Sequence, residues 1–308
     1  MRVVISGGTG FIGRHLATRL AARGDDLVIL TRSGKLPAEL SGSGRVTAAA
    51  WDPPAPGAWQ QSIDGADAIV HLAGEQAVGQ RYTAAVKARI HASRVHSAER
   101  LVEAIASAEK KPRVFVTASG VGYYGGHRDA EPLDESSPPG NDFLAEVCQQ
   151  WEGAARTAER YGVRVAIARL GVVFGRGGGA LETMVRPFKL FAGGPIGSGR
   201  QCFAWVHLED AISALLLLLD DDSCRGPFNV VAPRTPSQAE VAHALGKVLG
   251  RPSIMPAPSF ALKLLFGEGA LPLITGQNAV PRALREHGFE WKFGDLSAAL
   301  EDCLAPSR

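Results

Sequence analysis

The residues best placed for chemistry near the start of the chain are ones without side chains. Gly7-Gly8-Thr9-Gly10-Phe11-Ile12-Gly13 follows an apolar strand pattern, Arg2 to Ser6, and runs straight into a helical pattern from Arg14 to Arg23. Glycines at this spacing permit a tight turn, close approach of the main chain to an anion, and close packing of helix on strand. The helix start adds free N–H groups and the positive end of its dipole, a combination suited to a pyrophosphate. A dinucleotide is therefore expected against Gly7, Thr9, Gly10, Phe11, Ile12 and Gly13. Just past the second strand pattern, where a fold selecting NAD usually carries an acid for the ribose hydroxyls, this chain has Thr31-Arg32-Ser33. The Arg32 guanidinium is suited to fork onto a 2′-phosphate, with a solvated surface arginine as the alternative, so NADP(H) is expected rather than NAD(H).

Such a turn works only if a parallel sheet holds it. Strand patterns at Arg2 to Ser6, Leu27 to Thr31, Val46 to Ala50, Ala68 to Ala73, Val114 to Ser119 and Val163 to Leu170 alternate with helical stretches. Alternation of this kind predicts an α/β fold, a Rossmann-type doubly wound parallel sheet. Thr83 to Ser107 lacks Gly and Pro and reads as one long helix, and Asp142 is a good N-cap for another that carries Phe143, Leu144, Val147, Cys148, Trp151 and Ala155 on one face. Past Gly171 the chain turns glycine-rich, with helical patterns at Ser237 to Leu249 and Leu296 to Leu304. The division expected is a nucleotide-binding domain from 1–172 and 205–230, with a smaller α/β substrate-covering part from 173–204 and 231–308.

Composition narrows the partners. The chain has 308 residues, 45% of them hydrophobic, and 33 basic against 31 acidic residues with no long run of either sign. No electrostatic footprint for nucleic acid or a membrane surface results. The apolar run ending at Leu219 is too short to span a bilayer and reads as a buried helix. Met1 leads directly into a strand pattern without a signal-peptide layout, and Cys148, Cys202, Cys224 and Cys303 are scattered, so a reducing, cytoplasmic setting is expected. The histidines are dispersed and no metal-ligand spacing occurs.

With these residues in hand the chain resembles the extended short-chain dehydrogenases, the NAD(P)-dependent epimerase/dehydratase superfamily. It looks most like the branch called epimerase family proteins, whose members carry a C-terminal segment of unknown function. The motifs that carry the resemblance are Ser6-Gly7-Gly8-Thr9-Gly10-Phe11-Ile12-Gly13, His71-Leu72-Ala73-Gly74-Glu75, Gly122-Tyr123-Tyr124-Gly125, Gly171-Val172-Val173-Phe174-Gly175 and the run from Gly193 to Gly199. It implies that Leu72 and Ala73 line the adenosine side of the cofactor and that Val173 lies near its nicotinamide end. Arg89 stands on the long helix where relatives often have Asn, with Arg94 further along. Each either reaches the cofactor or is a solvated helix arginine.

Such relatives typically use a Tyr-x-x-x-Lys pair, in which the lysine lowers the phenol pKa. The residues four places after Tyr82, Tyr123, Tyr124 and Tyr161 are Val86, His127, Arg128 and Val165, and Phe143 and Val147 occupy the expected pair positions. Relatives often have a catalytic hydroxyl where this chain has Gly120. Ser119, Tyr123 and Tyr124, near the C-terminal end of the fifth strand pattern, are the remaining candidates for proton transfer, with packing or substrate stacking as the alternative for the tyrosines. Tyr161 is expected at the opposite edge of the sheet. Six basic residues between Val163 and Val206 (Arg164, Arg169, Arg176, Arg186, Lys189 and Arg200) face a single acid, Glu182. They point either to a phosphate or carboxylate on a small-molecule substrate or to scattered surface charge. His207 reads as a substrate contact or, more simply, as the start of a helix. Two functions follow: an NADP(H)-dependent oxidoreductase or epimerase acting on a small polar carbonyl or sugar-like compound, or an NADP(H)-binding protein without efficient turnover that serves as a sensor or interaction module. Monomer and homodimer are both compatible with the helix faces.

Overall fold

A computed structural model describes the chain except Ser43, Pro53, Pro54 and residues 127–130 and 306–308, a gap that contains His127 and Arg128. The strands are β1 (Arg2–Ser6), β2 (Asp26–Thr31), β3 (Val46–Ala50), β4 (Ala68–His71), β5 (Val114–Gly120), β6 (Pro132–Leu133), β7 (Arg164–Leu170), β8 (Val172–Phe174), β9 (Trp205–His207), β10 (Gly226–Val230) and β11 (Asn278–Ala279). Seven of them form one sheet in the order β10-β7-β5-β4-β1-β2-β3, every pair parallel. The order reverses between β1 and β4, and a doubly wound sheet opens a ligand crevice at the carboxyl ends of such a pair. β10 adds a seventh strand to the six read from the sequence. Its Gly226-Pro227 start reads as a turn, and proline is accommodated there because the strand lies at the sheet edge.

Strand alternation feeds two apolar layers. Val3 and Ile5 face helix α1 (Phe11–Arg23) and the helix Leu208–Asp220, through Leu16, Leu20, Ile212 and Leu215. Val4, Ile69, Phe115 and Val165 face the other way, onto Leu101 and Ile105. These last two belong to a helical stretch that starts at an N-cap on Thr83, runs Ala84–His91, widens into a π turn over Ala92–His96 and continues as Ser97–Ser107. The helix Phe143–Arg156 begins where the sequence places it, with the Asp142 carboxylate accepting the Ala145 N–H.

A third apolar cluster joins the helices Gly179–Lys189, Gln238–Leu249 and Leu296–Leu304. Polar contacts tie the C-terminal segment back onto the sheet. Asp210 accepts the Lys292 and Phe293 N–H groups, and Asn229 donates to Val280 O. Two short parallel pairs, β6 with β11 and β8 with β9, complete the connection. No described helix is long and apolar enough to cross a membrane.

Candidate functional site

A cleft of about 540 Å³ lies at the carboxyl ends of β1, β4, β5 and β7. Its inner half is made of the glycine turn, where Gly7, Gly10, Phe11, Ile12 and Gly13 all line it. The conformation explains the residue types. Gly7 has φ +72°, and a Cβ there would stand 2.6 Å from the main chain of Leu72 and Ala73. A Cβ on Gly13 would stand 2.1 Å from Gly7 O. Gly10 caps α1 with no side-chain hydrogen bond, so the first-turn N–H groups are not capped by a side chain. A Gly-rich loop closes on the same helix end: Cβ atoms on Gly178 and Gly179 would meet the Phe11 ring at 2.9 and 2.8 Å, and Arg14 donates to Gly177 O. A narrow cradle without side chains, at a helix start, fits a pyrophosphate.

The other residues expected at a nucleotide divide into three groups. Leu72 and Val173 line the cleft, whereas Ala73 lies outside the lining, its main-chain N 2.6 Å from where a Cβ on Gly7 would stand. Thr9 and Arg32 are exposed beyond the lining, Arg32 just past β2, where Thr31 is buried with its hydroxyl on Ser33 Oγ and Lys35 O. Arg89 is exposed and paired with Glu75 at 3.3 Å, outside the lining, whereas Arg94 is drawn inward. Its guanidinium lies 3.2 Å from where a Cβ on Gly74 would stand and over the Trp151 ring, with no carboxylate among the described residues within ion-pair distance. Burial lowers its pKa from the ordinary guanidinium value.

Arg94 owes its place to the π turn, and the turn is pinned from behind. His71, wholly buried at the end of β4, shares its Nδ1 with Ser6 Oγ at 2.5 Å and its Nε2 with Ser97 Oγ at 3.0 Å. Because Ser97 donates its own proton to Ser93 O, it accepts from Nε2–H, and Nδ1 accepts from Ser6. Burial, with the Arg94 charge adding to it, pushes the His71 pKa down to about 3, so the ring is neutral.

The three hydroxyls expected to transfer protons are not brought to this cleft. Ala118 and Gly120 line it, so alternation along β5 sends Ser119 to the opposite face, where its Oγ donates to Glu152 Oε1 at 2.8 Å. Glu152 is gripped by Arg169 through two 2.8 Å bonds, both residues nearly inaccessible. Arg169 also donates to Tyr124 Oη, which itself donates to Asn229 Oδ1 at 2.7 Å. Tyr123 lies outside the lining with its ring 3.4 Å under the same guanidinium. Burial raises the Tyr124 phenol to about 12, and although burial alone would lower Arg169, the Glu152 carboxylate holds it above the ordinary value. This arrangement cross-links β5, β7, β10 and the helix Phe143–Arg156. Tyr161 is exposed, at the end of the sheet where β7 begins.

The cation-rich stretch also disperses. Arg164 is buried on Leu218, Leu219 and Cys224 carbonyls, Arg169 is paired as described, Arg176 donates to Asp302 O, and Arg186 pairs with Glu182. None of the six lines the cleft. His207 caps the helix Leu208–Asp220, its Nδ1 accepting from Glu209 N. Asp302 and Cys303 lie within 4.8 Å of its ring nitrogens. An accepting Nδ1 makes Nε2 a proton carrier turned toward Asp302 at 3.4 Å, so the ring has no lone pair there for a metal.

Sequence reading missed the outer half of the cleft, to which Val78, Tyr82, Asp142, Phe143, Leu144, Glu268, Leu271, Pro272, Thr275 and Gln277 contribute. Tyr82 packs edge-on to Phe143 with ring centres 5.3 Å apart, and burial raises its phenol to about 12. These residues are spread over nearly two hundred positions and form no motif. Of these, the sequence singles out Asp142, Phe143 and Leu144, but as a helix start and its apolar face rather than as a wall of the site.

Comparison with known proteins gives the site a lineage. The model of the NAD dependent epimerase/dehydratase family matches residues 3–240, and a domain of unknown function, DUF1731, matches 257–303. The epimerase family protein SDR39U1 homolog, chloroplastic, of Arabidopsis thaliana is 40% identical over 97% of this chain and 86% of its own. Human epimerase family protein SDR39U1 is 38% identical over 99% of this chain and all of its own. A crystal structure of that human protein (isoform 2) with NADPH superposes with a TM-score of 0.85 at 34% identity, covering 98% of this chain and 99% of that one. Matched across most of its length, and with its glycine turn at the switch point of the sheet, the chain belongs to the NAD dependent epimerase/dehydratase family.

Proposed function

We propose that the chain is an NADP(H)-dependent oxidoreductase or epimerase acting on a small polar carbonyl or sugar-like compound. The observation that carries this reading is a cleft that runs unbroken from the glycine turn to Ala118, Gly120 and Phe143, with main chain where phosphates belong and a walled space beyond. The similar human protein crystallised with NADPH supports the same nucleotide. Here Gly10 to Gly13 receive the pyrophosphate on main-chain N–H groups, Arg32 meets the 2′-phosphate from outside the cleft, and Arg94 adds positive charge beside Gly74. Bound in this way, the nicotinamide would supply or accept hydride. Free cysteines, three of them buried, fit a cytoplasmic location.

The test is a fluorescence titration with both nucleotides. Arg32→Ala removes one charge-assisted contact worth about 1.5–3 kcal/mol, so NADPH affinity falls roughly 10- to 150-fold while NADH affinity is unchanged. An equal loss for both nucleotides sinks the phosphate assignment. A sensor without turnover is the second reading, favoured by Gly120, Phe143 and Val147 standing where relatives carry the proton relay. Absence of NADPH oxidation across aldehydes, ketones and nucleotide sugars selects it.

A further inference from the structure

The exposed apolar side chains are not scattered. Nine large hydrophobic residues stand exposed among the described residues, and seven of them come from two short stretches. Leu190 and Phe191 follow the helix Gly179–Lys189, Ile254 and Met255 lie on the segment after Arg251, and Phe260, Leu264 and Leu265 lie on the helix Ser259–Phe266. Main-chain bonds hold the two stretches side by side: the Met255 N–H donates to Gly193 O at 3.0 Å, the Ala257 N–H to Pro195 O at 2.8 Å and the Gly197 N–H to Ala257 O at 2.8 Å. The Arg251 guanidinium lies across the join, 4.5 Å from the centre of the Phe191 ring. Single exposed hydrophobics are ordinary, but seven on adjoining backbone mark a contact surface.

Two features show that these side chains are held outward. Phe191 has φ +58°, the only residue other than glycine among those described with a positive φ. A bulky side chain kept in that conformation points to a use for its ring. The helix Ser259–Phe266 is mostly Phe and Leu, yet none of its residues is buried. A helix of that composition ordinarily hides a face in the core. Here Phe260 and Leu264, one turn apart, share a face that stays exposed.

Charge selects the partner. From Thr183 to Leu208 and from Val241 to Gly267 the chain has no Asp or Glu, whereas Arg186, Lys189, Arg200, Lys247, Arg251 and Lys263 all lie there. Arg186 reaches back to Glu182. Among the described residues no carboxylate lies within ion-pair distance of Lys189, Arg251 or Lys263, which adjoin the apolar side chains. Because the cations come from two stretches distant in sequence, no basic run announces them. A second copy set against this face by two-fold symmetry would bring the same cations together. Apolar side chains framed by unpaired cations match acyl chains beneath anionic headgroups.

We propose that this face docks the chain on an anionic phospholipid bilayer, with Phe191, Phe260 and Leu264 at the boundary of headgroup and acyl chain and Lys189, Arg251 and Lys263 on the phosphates. Arg81 donates to Leu264 O at 3.4 Å and Lys87 pairs with Glu268, which fastens the face to the Val78 and Tyr82 side of the cleft. Docking therefore brings the outer half of the cleft to the lipid surface, whichever nucleotide the inner half holds.

The test is co-sedimentation of the full chain with sucrose-loaded vesicles, either of phosphatidylcholine alone or with phosphatidylglycerol as a quarter of the lipid. Each cation near an anionic leaflet strengthens binding roughly fivefold, so the mixed vesicles should bind at least about tenfold more tightly, a difference that shrinks in about 0.5 M salt. Phe260→Ser/Leu264→Ser should weaken binding to the mixed vesicles at least about tenfold, and Arg251→Glu/Lys263→Glu should erase the preference for them. All four positions are exposed, so the far-UV circular dichroism of both variants should match the parent. No binding of the parent up to about 1 mM mixed lipid, or binding that both double variants keep, overturns the proposal. A dimer in sedimentation velocity that Phe260→Ser/Leu264→Ser dissociates overturns it as well, because it gives the face to a second copy.

Discussion

The two halves of the cleft are built from different material. The inner half is main chain: glycines whose φ values or missing Cβ atoms let strand, helix and loop approach within contact distance. The outer half is side chain, brought from the helix start at Asp142, the segment around Tyr82 and the C-terminal residues Glu268 to Gln277. Steric exclusion sets the inner half, so it admits almost no substitution. The outer half depends on the polarity and volume of its side chains.

The sharpest way to break that contrast is one methyl group. Gly13→Ala places a Cβ 2.1 Å from Gly7 O, against main chain that cannot yield cheaply. NADPH affinity should fall by at least about 100-fold, because the turn must open to relieve the clash. Gly153→Ala is the control, an exposed helical glycine whose new Cβ meets nothing within 4 Å. It should leave NADPH binding intact and stabilise the fold by about 0.5–1 kcal/mol. A Gly13→Ala variant that binds NADPH like the parent would show that the cradle is not sterically set.

A second comparison, read in stability rather than affinity, concerns the buried hydroxyls. Arg169→Met leaves Glu152 charged and unpaired, which should cost about 3–5 kcal/mol in urea unfolding. The double variant Arg169→Met/Glu152→Leu should recover most of that loss. Failure of the double variant to recover would mean that the pair contributes through more than its own charge balance.

The same contrast decides what was legible in the sequence. Gly7 to Gly13 announced the inner half because steric exclusion writes itself as residue type at fixed spacing, and the parallel sheet was readable from alternating strand and helix patterns. Ser119 was misplaced by a single step of strand alternation, a parity that apolar runs such as Val114 to Ala118 conceal when both faces are buried. For Tyr124 proton transfer and packing both stayed open, because a tyrosine near a strand end gives no sign of its partners. Here they are Arg169 and Asn229, distant in sequence. Tyr82, Thr275 and Gln277 carry no local signal at all, since only the tertiary path of the C-terminal segment brings them together.

His71 lies behind the boundary between the halves, and its titration tests whether that boundary is rigid. Its folded pKa of about 3 lies below the unfolded histidine value, so the unfolded chain binds the extra proton as pH falls below about 6.5. Above that pH both states are neutral there and the group adds no pH dependence. Between pH 6.5 and 3 stability drops by about 1.4 kcal/mol per unit on this account, or about 2 kcal/mol from pH 7 to pH 5. His71→Asn, which cannot take up a proton, should lack that component, so its deficit against the parent in urea unfolding should shrink by about 2 kcal/mol over the same interval. Because Ser97 links His71 to the turn that carries Arg94, the variant should also weaken NADPH at pH 7. An unchanged deficit between pH 7 and pH 5 would mean that the buried ring takes up its proton in place, and that the wall behind the nucleotide gives way more easily than its packing implies.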